Sequence, residues 1–236
     1  MSIAEKLTEV AENQQKVYAA GVKSEYDRFW DEFQLNGTRR MYANGFCMNS
    51  WTKETFKPKY DMKPTTSQFM FAYWGAGGRS NDVEPIDLRE ISVSIDFSES
   101  TNVTSLFNGN GMITGVGAID TSSAPALSTM FYGAAALVTI EKLILKADGS
   151  QTFSNTFSAC GKLADLAVEG TIGQALSLSA CTKLTHESLM SVIGCLKDFV
   201  AEGSGTTKTL TLGVTNLAKL TDGEKAIATE KGWTLV

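Results

Sequence analysis

Cysteine is the residue type whose spacing in this chain could indicate chemistry, because two nearly identical segments each carry one. The segments are Phe157–Leu163, FSACGKL, and Leu178–Leu184, LSACTKL, and a repeated thiol could bind a metal or form a disulfide. A zinc site needs closely spaced Cys or His pairs, and a disulfide framework needs an oxidising compartment. The chain lacks a Cys-x-x-Cys pair and has one histidine, His186; its cysteines are Cys47, Cys160, Cys181 and Cys195. We therefore expect buried, reduced thiols, and neither a metal site nor a cofactor.

The position of the cysteine in these segments recurs elsewhere in the chain with other small residues. The four copies are Phe107-x-x-Asn110-x-x-Ile113, Phe131-x-x-Ala134-x-x-Leu137, Phe157-x-x-Cys160-x-x-Leu163 and Leu178-x-x-Cys181-x-x-Leu184, with offsets of 24, 26 and 21 residues. A position that accepts Asn, Ala and Cys varies too much for a metal ligand. The pattern predicts a small side chain packed inside a tight turn, so that size rather than reactivity selects the cysteine. We expect Phe107, Phe131, Phe157 and Leu178 to stack as one buried column.

Short strands are predicted after these copies by the pattern L-x-x-L-x-L. It is clearest at Leu163-x-x-Leu166-x-Val168, and similar apolar spacing follows Ile113 and Leu137 and occupies Leu88–Ile95. Alternate side chains of a strand point to the same face, so the apolar ones are expected to point into the core. Each unit then exposes an apolar face that only its neighbour can cover, which is why such units form stacks.

Two long segments carry a resemblance to a known family. The segments 102–123, NVTSLFNGNGMITGVGAIDTSS, and 126–143, ALSTMFYGAAALVTIEKL, resemble BspA-like leucine-rich repeats. The beginning, residues 1–34, and the end, residues 215–236, are similar to proteins of gut Firmicutes and their prophages that are usually labelled minor structural or tail-associated. The resemblance implies a repeat solenoid and no catalytic residues, because the family has no known shared chemistry. Asn110 and Ala134 depart from the family, which often has Cys at their position.

The predicted fold is an α/β-type repeat, a leucine-rich-repeat solenoid of short stacked parallel strands with a cap at each end. Residues 1–36 are expected to form an N-terminal helical cap, with an aromatic stripe over 22–33 that either packs on the first coil or docks a partner. Residues 37–184 form the solenoid, which is degenerate over 37–100, where Phe46 and Phe71 indicate two further copies separated from Phe107 by an insertion around Gly78–Glu84.

The remaining residues, 185–236, predict a C-terminal cap of helices and two short strands. Thr185 is the expected N-cap of a helix whose apolar face consists of Leu189, Val192, Ile193, Leu196 and Phe199. A strand is predicted at Thr209–Gly213, and the spacing of Thr221 and Glu224 predicts a capping box that starts a helix to about Lys231. The final residues WTLV predict a closing strand.

Several classes of function are disfavoured by composition and motifs. The net charge of −5 comes without a basic stripe, so nucleic acid is not expected as a partner. GSGTTK at 203–208 lacks the order of a phosphate-binding loop, and GNGMITGVG at 109–117 lacks dinucleotide-binding spacing. His186 follows a helix N-cap without evident triad or metal partners. We expect no enzyme, although paired carboxylates for glycoside cleavage depend on a three-dimensional distance and stay open.

Localisation is expected to begin in the cytoplasm. Charges at Glu5, Lys6, Glu9 and Glu12 interrupt any apolar signal-peptide region. The longest apolar stretch, Met130–Val138, is too short to span a bilayer. The chain is therefore expected to be made without a signal peptide and, if phage-encoded, to reach the virion or tail.

Three binding functions follow from these expectations. The first is a phage or prophage tail-associated protein that recognises a protein or glycan of a cell surface. Assembly into a homo-oligomer or a larger particle stays open. The second is a BspA-like bacterial surface adhesin. The third is an intracellular phage-encoded protein that binds and blocks a host factor, for which an acidic repeat region would suit a basic target.

The predicted binding face is the concave surface of the stacked strands. Side chains between the buried positions point outward, so five of them should share that face: Thr139, Glu141, Asp165, Ala167 and Glu169. Three of the five are acidic and none is bulky, which predicts a smooth, negative surface suited to a cationic or hydroxyl-rich partner. The alternative is a solvated sheet face without a ligand.

Overall fold

The computed structural model describes residues 61, 63–73, 84–91 and 94–236. Their strands are β1 Ile86–Asp87, β2 Ile113–Asp120, β3 Thr139–Ile144, β4 Asp165–Glu169, β5 Leu176–Ser177, β6 Lys208–Thr211 and β7 Trp233–Leu235; the helices are α1 His186–Gly194, α2 Gly213–Leu217 and α3 Asp222–Glu230. The predictions for residues 1–36, Phe46 and Cys47 lie outside the described residues.

The described strands form two sheets in which all neighbours are parallel. The order is β1-β2-β3-β4 in the larger sheet and β5-β6-β7 in the smaller one. In the larger sheet, Val116 pairs with Ile140 and Ile140 with Leu166, and all three are buried. Short strands with aligned apolar side chains have little stability on their own and are stabilised by burial against their neighbours. The chain therefore has an α/β fold with parallel strands, as the sequence predicts.

Four phenylalanine rings stack in a buried column. The ring centroids of Phe71, Phe107, Phe131 and Phe157 are 5.3, 5.4 and 5.4 Å apart in turn, with interplanar angles of 6°, 4° and 10°. All four rings are at most 2% exposed. The stacking predicted for Phe107, Phe131 and Phe157 is therefore present, and Phe71 extends it by one ring.

The backbone around these rings has one recurring geometry. Residues two before and two after each phenylalanine have positive φ angles: Phe69, Tyr73, Ser105, Gly109, Thr129, Gly133, Asn155 and Ala159. The backbone N–H of each ring residue except Phe157 donates to a carbonyl of the next segment, as from Phe107 to Met130 at 2.7 Å and from Phe131 to Thr156 at 3.0 Å. Leu178 is buried, but Leu176 and Ala180 lack the positive φ, so this geometry ends with Phe157.

The small residues three positions after Phe107, Phe131, Phe157 and Leu178 do more than fill space. The Asn110 side-chain amide donates to the Phe71 carbonyl at 2.8 Å, the Cys160 thiol to the Phe131 carbonyl at 2.8 Å, and the Cys181 thiol to the Phe157 carbonyl at 3.6 Å. Three of the four residues thus donate a hydrogen bond to the preceding segment, which Ala134 cannot do. The prediction that size alone selects the cysteines is incomplete, because a small donor suits the site best.

Helix α1 covers the free edge of β4. Ser188 Oγ accepts from Leu166 N at 2.9 Å and donates to the Ala164 carbonyl at 3.0 Å, and Ser191 Oγ accepts from Val168 N at 2.8 Å. An edge strand with unpaired backbone groups is a template for aggregation, and a covering helix removes that hazard. Serines thus replace a neighbouring strand at this edge.

The C-terminal elements agree closely with the sequence. Thr185 caps α1 by accepting from Ser188 N, and Thr221 and Glu224 form the predicted capping box of α3. The strands predicted at Thr209–Gly213 and at WTLV are present as β6 and β7, with β6 shifted by one residue at its start. Helix α1 ends at Gly194, so two of the predicted apolar face residues, Leu196 and Phe199, are buried beyond it.

One predicted strand is wrong in its first residues. The sequence places a strand over Leu88–Ile95, but β1 covers Ile86–Asp87 and residues 88–90 form a turn, while residues 92–93 lie outside the described residues. The carboxylate of Asp87 accepts from Arg89 N at 2.9 Å, which closes the chain into that turn. A local side-chain hydrogen bond of this kind competes with continuation of the strand.

Candidate functional site

The five residues predicted as a binding face lie on β3 and β4. Thr139 pairs with Asp165 in the register, and the Thr139 hydroxyl donates to Asp165 Oδ2 at 3.4 Å. Glu141, Asp165 and Glu169 are exposed, and Thr139 and Ala167 are half-buried. We call the exposed surface of β1–β4 the sheet face. The structure brings the five residues onto that surface while Ile140 and Leu166 point into the core.

A register shift adds a residue that the sequence pattern missed. Ile140 pairs with Leu166 and Leu143 with Val168, so two residues of β3 lie opposite one residue of β4. As a result both Glu141 and Lys142 are exposed. A bulge of this kind re-aims side chains, and here it places Lys142 Nζ 3.0 Å from Glu169 Oε2.

Two glycines of β2 form a flat floor beside β1. A Cβ on Gly115 would lie 2.5 Å from a carboxylate oxygen of Asp87, so only glycine leaves room for that carboxylate. A Cβ on Gly117 would lie 3.6 Å from Glu141 Oε2 and 4.0 Å from Arg89 Cγ. Arg89, in the turn after β1, and Glu141 of β3 therefore both approach the backbone at Gly117.

Arg89 spans part of this floor. Its Nε lies 2.9 Å from Asp87 Oδ1 and 3.1 Å from Oδ2. The hydrogen bonds from the guanidinium hold the pKa of Asp87 below its usual range, against an opposing effect of burial. The carboxylate is thus ionised throughout the physiological pH range.

The charge of the sheet face differs from the prediction. The face was expected to be smooth and negative, but Arg89 and Lys142 offset part of its negative charge, through ion pairs with Asp87 and Glu169. The carboxylates of Glu141 and Asp165 remain beside these pairs. The surface therefore carries interspersed positive and negative charges with an acidic excess. A charge pattern of this kind contributes more to the specificity of binding than to its affinity.

The groups considered for catalysis have structural contacts. His186 Nε2 lies 2.8 Å from Glu224 Oε1, a partner that sequence reasoning did not find, and Glu224 Oε2 accepts from Thr221 N at 2.8 Å within the helix cap. Cys160 and Cys181 are free and fully buried. The neighbouring Cys160 thiol and burial raise the pKa of the Cys181 thiol, which keeps it protonated. These contacts link neighbouring helices and segments.

Among residues 61, 63–73, 84–91 and 94–236, no group of three or more His, Cys, Asp or Glu side chains could hold a metal ion. No helix in those ranges is long and apolar enough to cross a membrane.

Comparisons with protein-family models, curated proteins and solved structures find no match for this chain.

Proposed function

We propose that this chain is a non-enzymatic binding protein built as a leucine-rich-repeat solenoid. The support is the parallel order β1-β2-β3-β4 beside the column of four phenylalanine rings. Segments that stack at a constant spacing build an extended surface to which each segment adds one strip, and such surfaces bind large ligands.

The ligand is a protein or glycan of a cell surface, and it binds to the sheet face. The observation that carries this proposal is the concentration of paired and unpaired charges over the glycine floor of Gly115 and Gly117. The Asp87 carboxylate covers the backbone at Gly115, whereas the backbone at the half-buried Gly117, between Arg89 and Glu141, leaves room for a ligand to reach the sheet. A solvated face needs no such room. The most favoured setting is a phage or prophage tail-associated protein, on the resemblance of the two ends of the chain.

Two other settings use the same surface. A bacterial surface adhesin of the BspA type would bind host or neighbouring cells, and an intracellular phage-encoded protein would bind a basic host factor through the acidic excess of the sheet face. The neighbouring genes distinguish the three settings: tail and lysis genes, sortase and wall genes, or an early operon.

Binding to intact cells tests the function directly. Fluorescently labelled protein is added to gut Firmicutes cells, to protease-treated cells and to isolated wall glycans, with serum albumin as the control protein. We expect saturable binding to intact cells and to one of the two treated samples. Binding no stronger than that of albumin in all samples would contradict a cell-surface ligand, and binding to a cytosolic extract alone would favour the intracellular setting.

A further inference from the structure

An apolar cavity of about 210 Å³ lies beside β2 in the larger sheet. Strand β1 pairs with β2 only as far as Gly115, whereas β2 continues to Asp120. The chain turns at residues 88–90, so β1 does not follow β2 past this point. The space beside this later part of β2 is lined mainly by apolar side chains, namely Leu88, Ile95, Phe97, Phe107, Val116 and Ile119.

The cavity is continuous with the sheet face. Gly117 and Ala118 also line it, and Ala118 is exposed, while Phe107 and Val116 lie in the core. The site therefore runs from the glycine floor into the interior. Its mouth lies next to Arg89 and Glu141, since both side chains approach Gly117.

We propose that this cavity receives one apolar side chain, of the size of a phenyl ring or a branched aliphatic group, from a protein partner. The proposal rests on the proposed function and selects protein over glycan as the ligand. A cavity of about 150 Å³ lined by aliphatic and aromatic residues holds a benzene molecule, so this one has room for a single ring. A sugar ring would lose water from its hydroxyl groups against these apolar walls without gaining hydrogen bonds in return.

The charges at the mouth add a second requirement for the partner. Glu141 stands at the rim beyond the Arg89–Asp87 pair, and its charge raises the pKa of the Arg89 guanidinium, although less than the hydrogen bond with Asp87 does. A partner residue beside the inserted side chain meets an acidic excess and is best matched by a lysine or arginine. A buried apolar anchor surrounded by a charged rim is the arrangement that dominates the energy of many protein interfaces.

Toluene, the side-chain analogue of phenylalanine, tests the cavity itself. Two variants reduce the volume of the cavity from different sides: Ala118→Leu at its exposed mouth and Val116→Leu in its wall. The control is Ala135→Leu, at an exposed position outside the cavity lining. We expect toluene to shift the NMR methyl signals of Leu88, Val116 and Ile119 and to raise the thermal midpoint in the unmodified chain and in the control. Both effects should be lost in the two filled variants. No effect on the unmodified chain, or equal effects in all four proteins, would overturn the proposal.

Attachment to cells separates this inference from the proposed function. If the cavity takes a protein anchor, Ala118→Leu and Val116→Leu lose attachment, and protease treatment of the cells abolishes attachment of the unmodified chain. Normal attachment of both filled variants, or attachment that survives protease treatment, would overturn the inference. If charge reversals on the sheet face still prevent attachment in that case, the proposed function stands without the cavity.

Discussion

Replacing Asn110 with alanine is expected to destabilise the protein more than any exposed substitution in the same turn. The side chain is 1% exposed and makes three buried hydrogen bonds. Its amide donates to the Phe71 carbonyl at 2.8 Å, and its oxygen accepts from Met112 N at 2.9 Å and from Ile113 N at 2.8 Å. The variant Asn110→Ala leaves the N–H groups of Met112 and Ile113 without this acceptor, and both of these residues are only 1% exposed.

The magnitude follows from those two donors. A buried polar group that loses its partner costs about 1–3 kcal/mol, so we expect a loss of about 3 kcal/mol or more in the free energy of unfolding. This is a large share of the stability of an ordinary domain, about 5–15 kcal/mol. Urea denaturation followed by circular dichroism measures the loss as a lower midpoint at an unchanged slope.

A neighbouring asparagine provides the matched control. Asn108 is only half-buried, and its side-chain amide makes one long hydrogen bond, to Ser105 Oγ at 3.3 Å. Asn108→Ala should therefore cost less than about 1 kcal/mol. Equal losses in the two variants would refute a stabilising role of the buried amide between the Asn110 and Phe71 segments.

Three further predictions concern the core, the thiols and the cap. Phe131→Ala removes the ring between two stacked neighbours, and we expect a loss of about 3–5 kcal/mol in urea denaturation; a loss near 1 kcal/mol would contradict tight stacking. Cys160→Ala should cost only about 1–2 kcal/mol, a small cavity plus one hydrogen bond, and Cys160 should resist thiol reagents in the native protein; fast labelling of Cys160 would show that it is not buried. The backbone hydrogen bond from Thr221 and the hydrogen bond with His186 lower the pKa of Glu224. The Glu224 carboxylate therefore stabilises the folded protein above the pKa that it has in the unfolded state, and this stabilisation is lost as the pH falls through the lower pKa of the folded state. Glu224→Gln should therefore lower the thermal midpoint at pH 7 but leave it unchanged at a pH below the folded-state pKa of Glu224. A difference in midpoint between variant and unmodified protein that does not depend on pH would be inconsistent with this linkage.

The sequence predicts the parts of this fold that depend on a repeated apolar spacing. The rings of Phe107, Phe131 and Phe157 recur at nearly constant offsets, and each is buried because it stacks against the ring of the neighbouring segment. The capping box at Thr221 is equally local, since its two hydrogen bonds join residues three apart.

The parts that sequence reasoning missed depend on geometry between strands. The extra exposed residue Lys142 follows from a register shift that the apolar pattern of β3 alone does not specify. The turn after β1 comes from the Asp87–Arg89 pair, which overrides an apolar pattern typical of a strand. The contact between His186 and Glu224 joins residues 38 apart in sequence, so it becomes visible only once two helices are packed together.

Charge reversal on the sheet face distinguishes binding at this face from binding elsewhere on the protein. The double variant Glu141→Lys with Glu169→Lys changes two exposed side chains of the face, and the control Glu202→Lys with Glu230→Lys makes the same change in net charge elsewhere. The control is matched, because Glu202 pairs with Lys197 at 3.2 Å as Glu169 pairs with Lys142 at 3.0 Å. Exposed ion pairs contribute little to stability, so both proteins should keep nearly the original thermal midpoint. We expect the sheet-face variant to lose attachment to target cells while the control attaches normally; normal attachment of the sheet-face variant would contradict binding at this face.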